Sequence, residues 1–328
     1  MCSIVPVFIP HLGCVHRCVF CDQRAIAADA APAPRQVEEQ IERALAYAKT
    51  PQIAFYGGSF TAIEDRLQEA YLNAAQHFVD AGQADGIRLS TRPDCVDETV
   101  ILRLKRYSVQ TVELGAQSMK DHVLRASKRG HTAEDTARAA RRLKQAGFQV
   151  VLQMMVGLPE STPGDERQTA EALCALSPGA VRIYPVCVIA GTELCGLYEQ
   201  GKYIPPTLEQ AVELCADLVP VFETQGISVL RIGLNPTEQL SGGAVLAGAY
   251  HPALGQLVRS RIWLREASAM LEKIGGGKVR ITVPRGQLPV AVGQKRCNVQ
   301  ALREQNPHLE IMIAEDGAQR EKMKISVG

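Results

Sequence analysis

Three cysteines near the start of the chain constrain this sequence more than any other feature. They are Cys14, Cys18 and Cys21, in C-x3-C-x2-C spacing after an apolar run over 4–10. Three thiolates this close in sequence can bind one side of an iron–sulfur cubane and leave one iron without a protein ligand, open to chemistry. The alternative is a structural zinc ion, for which His11 or His16 would supply the fourth ligand.

The composition limits the class of protein. The 328 residues suffice for one barrel-sized domain with a small appendage. Lys and Arg (36) nearly balance Asp and Glu (35), so any contact with RNA must be local. The apolar run at 4–10 is much shorter than the ~20 residues of a membrane span, which predicts a cytoplasmic protein without a membrane partner.

Apolar strands and helical patterns alternate along the first two thirds of the chain. We expect strands at 4–10, 52–56, 86–90, 111–114, 150–156 and 180–184, with helices between them. Such alternation predicts parallel pairing through right-handed crossovers. The fold class is therefore α/β, with six βα units, and a further strand at 227–233 is expected to extend the edge of the sheet.

Glycine and polar motifs follow these strands, each at the point where a strand ends. The motifs are the cysteine loop, Gly57-Gly58-Ser59, Arg92 with Asp94, Gln117-Ser118, Gly157 and Tyr184. The carboxyl ends of parallel strands meet at one edge of a sheet, where α/β proteins place their working residues. The sequence therefore predicts one site built from all six motifs.

These motifs also resemble a known family. The pattern Cys-x3-Cys-x-aromatic-Cys, with Phe20 as the aromatic residue, is similar to the signature of the radical AdoMet (radical SAM) enzymes, and Gly57-Gly58 matches their glycine pair. Further segments resemble the radical domain of the Elongator catalytic subunit. They are Ser90-Thr91-Arg92-Pro93-Asp94, Val112-Glu113-Leu114-Gly115-Ala116-Gln117-Ser118, Arg129-Gly130-His131-Thr132, Met154-Met155-Val156-Gly157-Leu158-Pro159 and Arg182-Ile183-Tyr184-Pro185.

The resemblance implies a fold, cofactors and roles. It implies a partial (β/α)6 TIM-like barrel in which Cys14, Cys18 and Cys21 hold a 4Fe-4S cluster whose free iron binds S-adenosylmethionine. An electron donor such as flavodoxin or ferredoxin is implied as well. The residues implied to contact S-adenosylmethionine are Phe20, Gly57, Gly58, Ser59, Arg92, Gln117, Met155 and Gly157. Tyr184 is a candidate substrate contact, and no catalytic side chain is assigned.

The sequence predicts a separate unit at the end of the chain. After a glycine hinge at 275–278, the order β-α-turn-α-β resembles a minimal KH module, whose turn clamps a nucleotide backbone. Gly293, Lys295 and Arg296 would form that turn, although Arg296 replaces its second glycine; packing or dimerisation is the alternative role. We expect a barrel over 1–235, a helical extension over 236–275 and the KH-like module over 276–328.

The leading hypothesis is a radical AdoMet enzyme that modifies an RNA base, with tRNA or rRNA as its partner. The resemblance does not extend to the acetyltransferase domain of Elongator, so the acetyl-CoA part of that reaction is not carried over. One alternative is a radical AdoMet enzyme acting on a small molecule such as a porphyrinogen. Another is a zinc-stabilised RNA-binding barrel. The other cysteines are scattered and are expected to be mostly buried thiols: Cys2, Cys95, Cys174, Cys187, Cys195, Cys215 and Cys297.

Overall fold

Seven of the strands build one parallel sheet. The structure, a computed structural model, describes residues 3–23, 30–238, 240–319 and 322–327; Cys2 lies outside them. The seven strands are β1 (Ile4–Ile9), β2 (Gln52–Gly57), β3 (Gly86–Thr91), β4 (Val109–Gln117), β5 (Gln149–Val156), β6 (Ala180–Pro185) and, later in the chain, β8 (Ser228–Ile232). They lie in the order β1-β2-β3-β4-β5-β6-β8, and each neighbouring pair is parallel. The predicted α/β partial barrel is confirmed, with β8 at its edge.

Helices connect these strands. They are α1 (Pro34–Leu45), α2 (Asp65–Asp80), α3 (Glu98–Leu104), α4 (Asp121–Ala126), α5 (Ala133–Gln145), α6 (Pro163–Ala175), α7 (Glu193–Glu199) and α8 (Leu208–Glu223). Three of them begin with a capping box, in which Thr132, Thr162 or Thr207 accepts a hydrogen bond from the backbone three residues on. The short helices α4 and α7 were missed by the sequence patterns.

The strands of the sheet alternate between an apolar face and a polar face. On β2, the ring of Phe55 packs against Phe60 and against Tyr71 of α2, with centroids 5.0 and 6.0 Å apart. The next residue, Tyr56, points to the opposite face and lines a cavity. Helices therefore cover the outer face of the sheet, and polar side chains can occupy its inner face.

A small two-stranded sheet stands apart from the main one. It pairs β7 (Cys187–Ile189) with β9 (Val245–Gly248) in antiparallel orientation. Both strands were missing from the sequence-based expectation, because runs of three and four residues are too short to show a period.

The chain divides into two compact units. The first contains Met1–Ala211 and Leu218–Pro252, and the second contains Val212–Asp217 and Ala253–Gly328. The predicted division into a barrel, an extension and a KH-like module remains a prediction, because compactness does not decide which segments fold independently.

The second unit has the expected β-α-turn-α-β order with one more strand. Its elements are α9 (Leu254–Leu271), β10 (Gly277–Pro284), α10 (Leu288–Val292), α11 (Cys297–Gln305), β11 (Leu309–Asp316) and β12 (Lys324–Val327). β10 is central, parallel to β11 and antiparallel to β12. Trp263 and Leu271 of α9 share one core with Val279, Ile281 and Val283 of β10. Among the described helices of the whole chain, none is long and apolar enough to cross a membrane.

Candidate active site

A cavity of about 250 Å³ lies at the carboxyl ends of the parallel strands. Most of the residues predicted from the sequence line it: Cys14, Phe20, Cys21, Gly57, Gly58, Ser59, Arg92, Gln117, Met155 and Tyr184. Cys18 and Gly157 are close by but are not among its lining residues. Gly293, Lys295 and Arg296 belong to the second unit. The grouping of the first set is an observation, and the role of each residue stays a prediction.

The cysteine loop is fixed against the end of β2 by backbone contacts. Gly58 donates a hydrogen bond to the carbonyl of Ile9 (2.9 Å), and Ser59 donates to that of Leu12 (2.8 Å). A Cβ on Gly58 would lie 2.0 Å from the Leu12 oxygen, and a Cβ on Gly13 would lie 2.2 Å from the Ser59 oxygen. Glycine is thus required on both sides of this contact, because any side chain would push the cysteine loop away.

The predicted cluster ligands Cys14, Cys18 and Cys21 are half-buried. Burial raises the pKa of Cys21 to about 12, and the negative charges of Cys18 and Cys14 add to the rise. Burial followed by the charge of Cys18 also raises the pKa of Cys14, while Arg129 opposes both shifts. Cys14 and Cys21 are therefore protonated at neutral pH, and a metal that binds them would displace these protons, because metal ligation requires the thiolate. Among the described residues, no three His, Cys, Asp or Glu side chains are arranged around a single metal ion, so the convergence of Cys14, Cys18 and Cys21 on one cluster stays a prediction.

Arg129 joins the cysteine loop to the sheet. Its Nη1 donates to Cys18 Sγ (3.1 Å) and its Nη2 to the Gly115 carbonyl (2.8 Å). The side chain is buried, and its Nε has no partner in the part of the chain that the structure describes. A cation against a cluster ligand and an unused buried donor both fit an anionic group at this position. In the sequence, Arg129 stands out only as part of the motif Arg129-Gly130-His131-Thr132, which predicts no role for it.

Two of the predicted cofactor contacts already have protein partners. Arg92 donates from Nε and Nη2 to the two carboxylate oxygens of Asp94, at 3.0 and 2.9 Å. The Ser59 hydroxyl lies 3.0 Å from Thr91 Oγ1 and accepts from the Arg92 backbone at 3.2 Å. These bonds hold both residues in place, so any contact with a cofactor would have to be made by the remaining donors and lone pairs.

Gln117 occupies a strained position at the rim. Its φ of +64° is in the left-handed region, and the pairing of β4 with β5 is irregular between Gly115 and Gln117. The side chain faces the cavity, where its Oε1 accepts from Gln153 Nε2 at 3.2 Å. Strain of this kind costs about 1–3 kcal/mol and is concentrated at functional sites.

His131 lies behind this rim. Thr132 caps α5, and His131 is buried with Nε2 3.2 Å from the Ala116 carbonyl oxygen. Burial, reinforced by the charges of Arg129 and Arg92, lowers the pKa of His131 to about 4. Its ring is therefore neutral at physiological pH.

A buried carboxylate supports the end of β5. Glu166 accepts from the backbone of Gly157 through Oε1, while its Oε2 is buried without a partner among the described residues. Burial raises the pKa of Glu166 to about 7. The Gly157 carbonyl accepts from the Tyr203 hydroxyl, so the peptide units on both sides of Gly157 are fixed.

A charged network forms the inner wall of the cavity. Glu113 Oε1 accepts from Arg88 Nη1 (2.9 Å), from the Tyr56 hydroxyl (3.0 Å) and from Arg182 Nη2 (3.2 Å). Arg182 Nε lies 2.8 Å from Glu113 Oε2, and its Nη1 is 3.4 Å from the Tyr184 hydroxyl. This network was not predicted from the sequence. The available signal was a charged residue at an inward position in each of three otherwise apolar strands.

The family of the chain follows from a comparison with family models. A model described as the radical SAM superfamily matches residues 8–173, about half of the chain, and one described as the radical SAM C-terminal domain matches residues 178–263. The chain belongs to the radical SAM superfamily. It is a radical SAM enzyme, and membership of this family implies a 4Fe-4S cluster and S-adenosylmethionine.

Curated relatives of this radical SAM protein resemble part of it. A tRNA uridine(34) acetyltransferase of Methanocaldococcus jannaschii is 30% identical over 196 residues, which cover 54% of this chain and 36% of the relative. The human Elongator complex protein 3 is 33% identical over 137 residues, which cover 41% and 25%. The match thus spans about a third of the length of the first relative and a quarter of the second.

Solved structures agree with the radical SAM fold. The archaeal Methanocaldococcus infernus Elp3 with an N-terminal deletion gives a TM-score of 0.64 at 23% identity, covering 80% of this chain and 63% of that one. The coproporphyrinogen III oxidase HemN of Escherichia coli gives 0.51 at 18% identity, covering 68% and 52%. At these identities the likeness concerns the fold alone.

Proposed function

We propose that this radical SAM enzyme modifies an RNA base, with a tRNA-type molecule as its substrate. When bound, a 4Fe-4S cluster and S-adenosylmethionine supply the reductive cleavage that yields methionine and a 5'-deoxyadenosyl radical, which takes hydrogen from an unactivated carbon. The observation that carries the proposal is the grouping of the cysteine loop, the glycine pair and the polar strand ends around one cavity.

The chain's own residues would hold the cofactors in that cavity. Cys14, Cys18 and Cys21 would bind the cluster, and Arg129 would donate to the Cys18 sulfur. At the end of β2, Gly57 and Gly58 would present backbone carbonyls to the methionine amino group, where side chains would obstruct the approach.

Other parts of the rim would orient the rest of S-adenosylmethionine. Gln117 and Ser59 would contact the carboxylate and the ribose, and Arg92 would support them from its ion pair with Asp94. Phe20 and Met155, both facing the cavity, would enclose the adenine next to Gly157.

The RNA part of the proposal is supported by two separate features. The matched relatives are named for action on a tRNA uridine or as Elongator proteins. The second unit presents exposed Lys295 and Arg296 in a turn, both with left-handed φ values, +51° and +64°. Arg296 thus takes the backbone conformation that a glycine would adopt easily. We propose that these two side chains bind phosphate groups of single-stranded RNA electrostatically.

The test is anaerobic reconstitution with iron and sulfide, reduction with dithionite and measurement of 5'-deoxyadenosine with and without total tRNA. Flavodoxin or ferredoxin would replace dithionite in a second series as physiological donors. We expect 5'-deoxyadenosine in both samples and more of it with tRNA. Cys18→Ala is the negative control. A sample with tRNA digested to nucleosides shows whether any stimulation requires intact RNA.

The outcomes distinguish the hypotheses. Stimulation by intact tRNA supports the proposal and directs mass spectrometry to the modified nucleoside. Formation of 5'-deoxyadenosine without any response to RNA would instead favour a small-molecule substrate such as a porphyrinogen. If the purified protein contains zinc and forms no 5'-deoxyadenosine, the cluster assignment is wrong.

A further inference from the structure

The inner wall of the cavity carries more positive than negative charge. Arg92, Arg129 and Arg182 line the cavity, and Glu113, which Arg182 contacts, is the only carboxylate among the described residues that do so. Arg231 is not among the lining residues, and its Nε and Nη2 donate to the carbonyls of Gly233 and Leu234. Burial raises the pKa of Tyr184; the charge of Arg182 and, more weakly, that of Arg231 oppose the rise, while the charge of Glu113 adds to it.

Two hydrogen-bond donors beside Glu113, on Tyr184 and Arg182, are not used up by contacts with its carboxylate. Its carboxylate is saturated by Arg88, Tyr56 and Arg182. The Tyr184 hydroxyl accepts from Arg182 but donates to no acceptor in the described part of the chain, and Arg182 Nη1 has only this one long contact of 3.4 Å. A half-buried hydroxyl and a guanidinium nitrogen therefore face the cavity with hydrogens to donate.

We propose that this inner wall binds an anionic oxygen group of the substrate, a phosphate or a carboxylate, through the Arg182 guanidinium and the Tyr184 hydroxyl. The Nε and Nη2 of Arg182 face Glu113, so its Nη1 would donate the charge-assisted hydrogen bond to such a group. Glu113 acts as a positioning residue, since it holds Arg182 beside the cavity. This proposal takes one point from the proposed function, namely that the substrate enters this cavity.

The two sources of such a group differ in kind. A phosphate would come from a nucleotide turned into the cavity, whereas a carboxylate would come from a small organic acid. Both would satisfy the same donors, so the probes have to separate them. We choose uridine 5'-monophosphate, uridine without a phosphate, and propionate.

The experiment is anaerobic calorimetric titration of the cluster-loaded but unreduced full chain with each probe. We expect uridine 5'-monophosphate to bind at least about tenfold more tightly than uridine, because the charged group gains hydrogen bonds to charged donors. Tyr184→Phe should lower the affinity for uridine 5'-monophosphate about threefold to tenfold and leave the affinity for uridine unchanged. Arg182→Lys keeps the charge but cannot hold Glu113 and present Nη1 to the cavity at the same time, so it should weaken binding of the monophosphate further.

Matched controls keep folding separate from binding. Tyr47→Phe makes the same chemical change at a side chain that is 95% exposed, and it should leave every affinity unchanged. Tyr184→Phe retains the aromatic ring, so it tests the hydroxyl even if Arg182→Lys disturbs the network. Unfolding curves of both variants would show whether the fold is retained.

Preference for the monophosphate, or binding of propionate that falls in Tyr184→Phe, supports the anion site and identifies its source. Equal affinities for uridine 5'-monophosphate and uridine, together with no binding of propionate, would overturn it. An equal loss of both nucleoside affinities in Tyr184→Phe would overturn it too, because the hydroxyl would then act on the whole ligand. These titrations need no radical chemistry, so a failure to form 5'-deoxyadenosine refutes the proposed function separately.

Discussion

The inner face of the half-barrel and the core of the second unit are both built from strand residues, yet they differ in chemistry. On the half-barrel, Tyr56, Glu113 and Arg182 point inward and form a buried polar network. On β10, the alternating positions Val279 and Ile281 are apolar and pack beneath α9. The first sheet already has an apolar core on its outer face, so its inner face is free for function. The second sheet has to supply the core of its own unit.

The largest expected effect is a loss of cluster content from the half-barrel. Cys18→Ala removes one of three proposed cluster ligands, and we expect the bound iron and sulfide to fall from a full complement to almost none. Iron and sulfide analysis after anaerobic reconstitution, with the visible absorbance, measures this. Cys297→Ala changes an exposed thiol of the second unit and should leave the cluster intact. Full cluster content in Cys18→Ala would contradict the assignment.

The buried network should be costly to break. Glu113→Ala leaves Arg88 and Arg182 without their counter-charge, and removing one partner of a buried pair costs about 3–5 kcal/mol of the free energy of unfolding. Chemical denaturation followed by circular dichroism measures the change. Glu134→Ala, in an ion pair whose two side chains are 67% and 55% exposed, should cost less than about 1 kcal/mol. Equal costs for the two substitutions would show that the network is not buried as described.

A pH dependence should come from Glu166 on the half-barrel. Its pKa is about 7 in the folded protein, raised by burial from a usual value of 4.5. Between these values the folded state keeps the proton that the unfolded chain has lost, so the free energy of unfolding falls as the pH rises from about 4.5 to 7. The total loss is of the order of 3 kcal/mol.

Denaturation at several pH values measures this slope. Glu166→Gln keeps an acceptor for the Gly157 backbone but cannot titrate, so its slope should be flatter over that range. Glu171→Gln, on the exposed side of α6, should keep the slope of the unchanged protein. A Glu166→Gln variant with an undiminished slope would assign the titration to another group.

The smallest expected effect lies in the apolar core of the second unit. Ile281→Val removes one buried methylene group and should cost about 1 kcal/mol. Trp263, the only tryptophan, belongs to the same core and reports its unfolding by fluorescence. Val327→Ala at a position 58% exposed should change the free energy of unfolding by less than about 0.5 kcal/mol. A cluster content that changes in Ile281→Val would mean that the two regions are not energetically independent.

Most of the framework was predictable because its signals are local. Period-2 and period-3.6 patterns predict the strands and helices, and the motifs after the strands predict which edge carries the site. The contacts inside that edge were not predictable. Arg129 reaches Cys18 across 111 positions of sequence, and Arg182 reaches Glu113 across 69. Such pairs depend on how strongly the sheet curves, which no local pattern records.

The contacts between the cysteine loop and the sheet bear on how the enzyme matures in the cell. Gly58, Ser59, Arg92 and Arg129 are hydrogen-bonded to other parts of the protein, so these contacts do not depend on a metal. We expect the apoprotein to stay folded while it waits for cluster delivery, unlike small zinc domains that are unfolded without metal. Far-ultraviolet circular dichroism before and after reconstitution should then be superimposable. Cluster insertion would be a late, local step of biogenesis, and loss of the cluster to oxygen would leave a chain that can be reloaded.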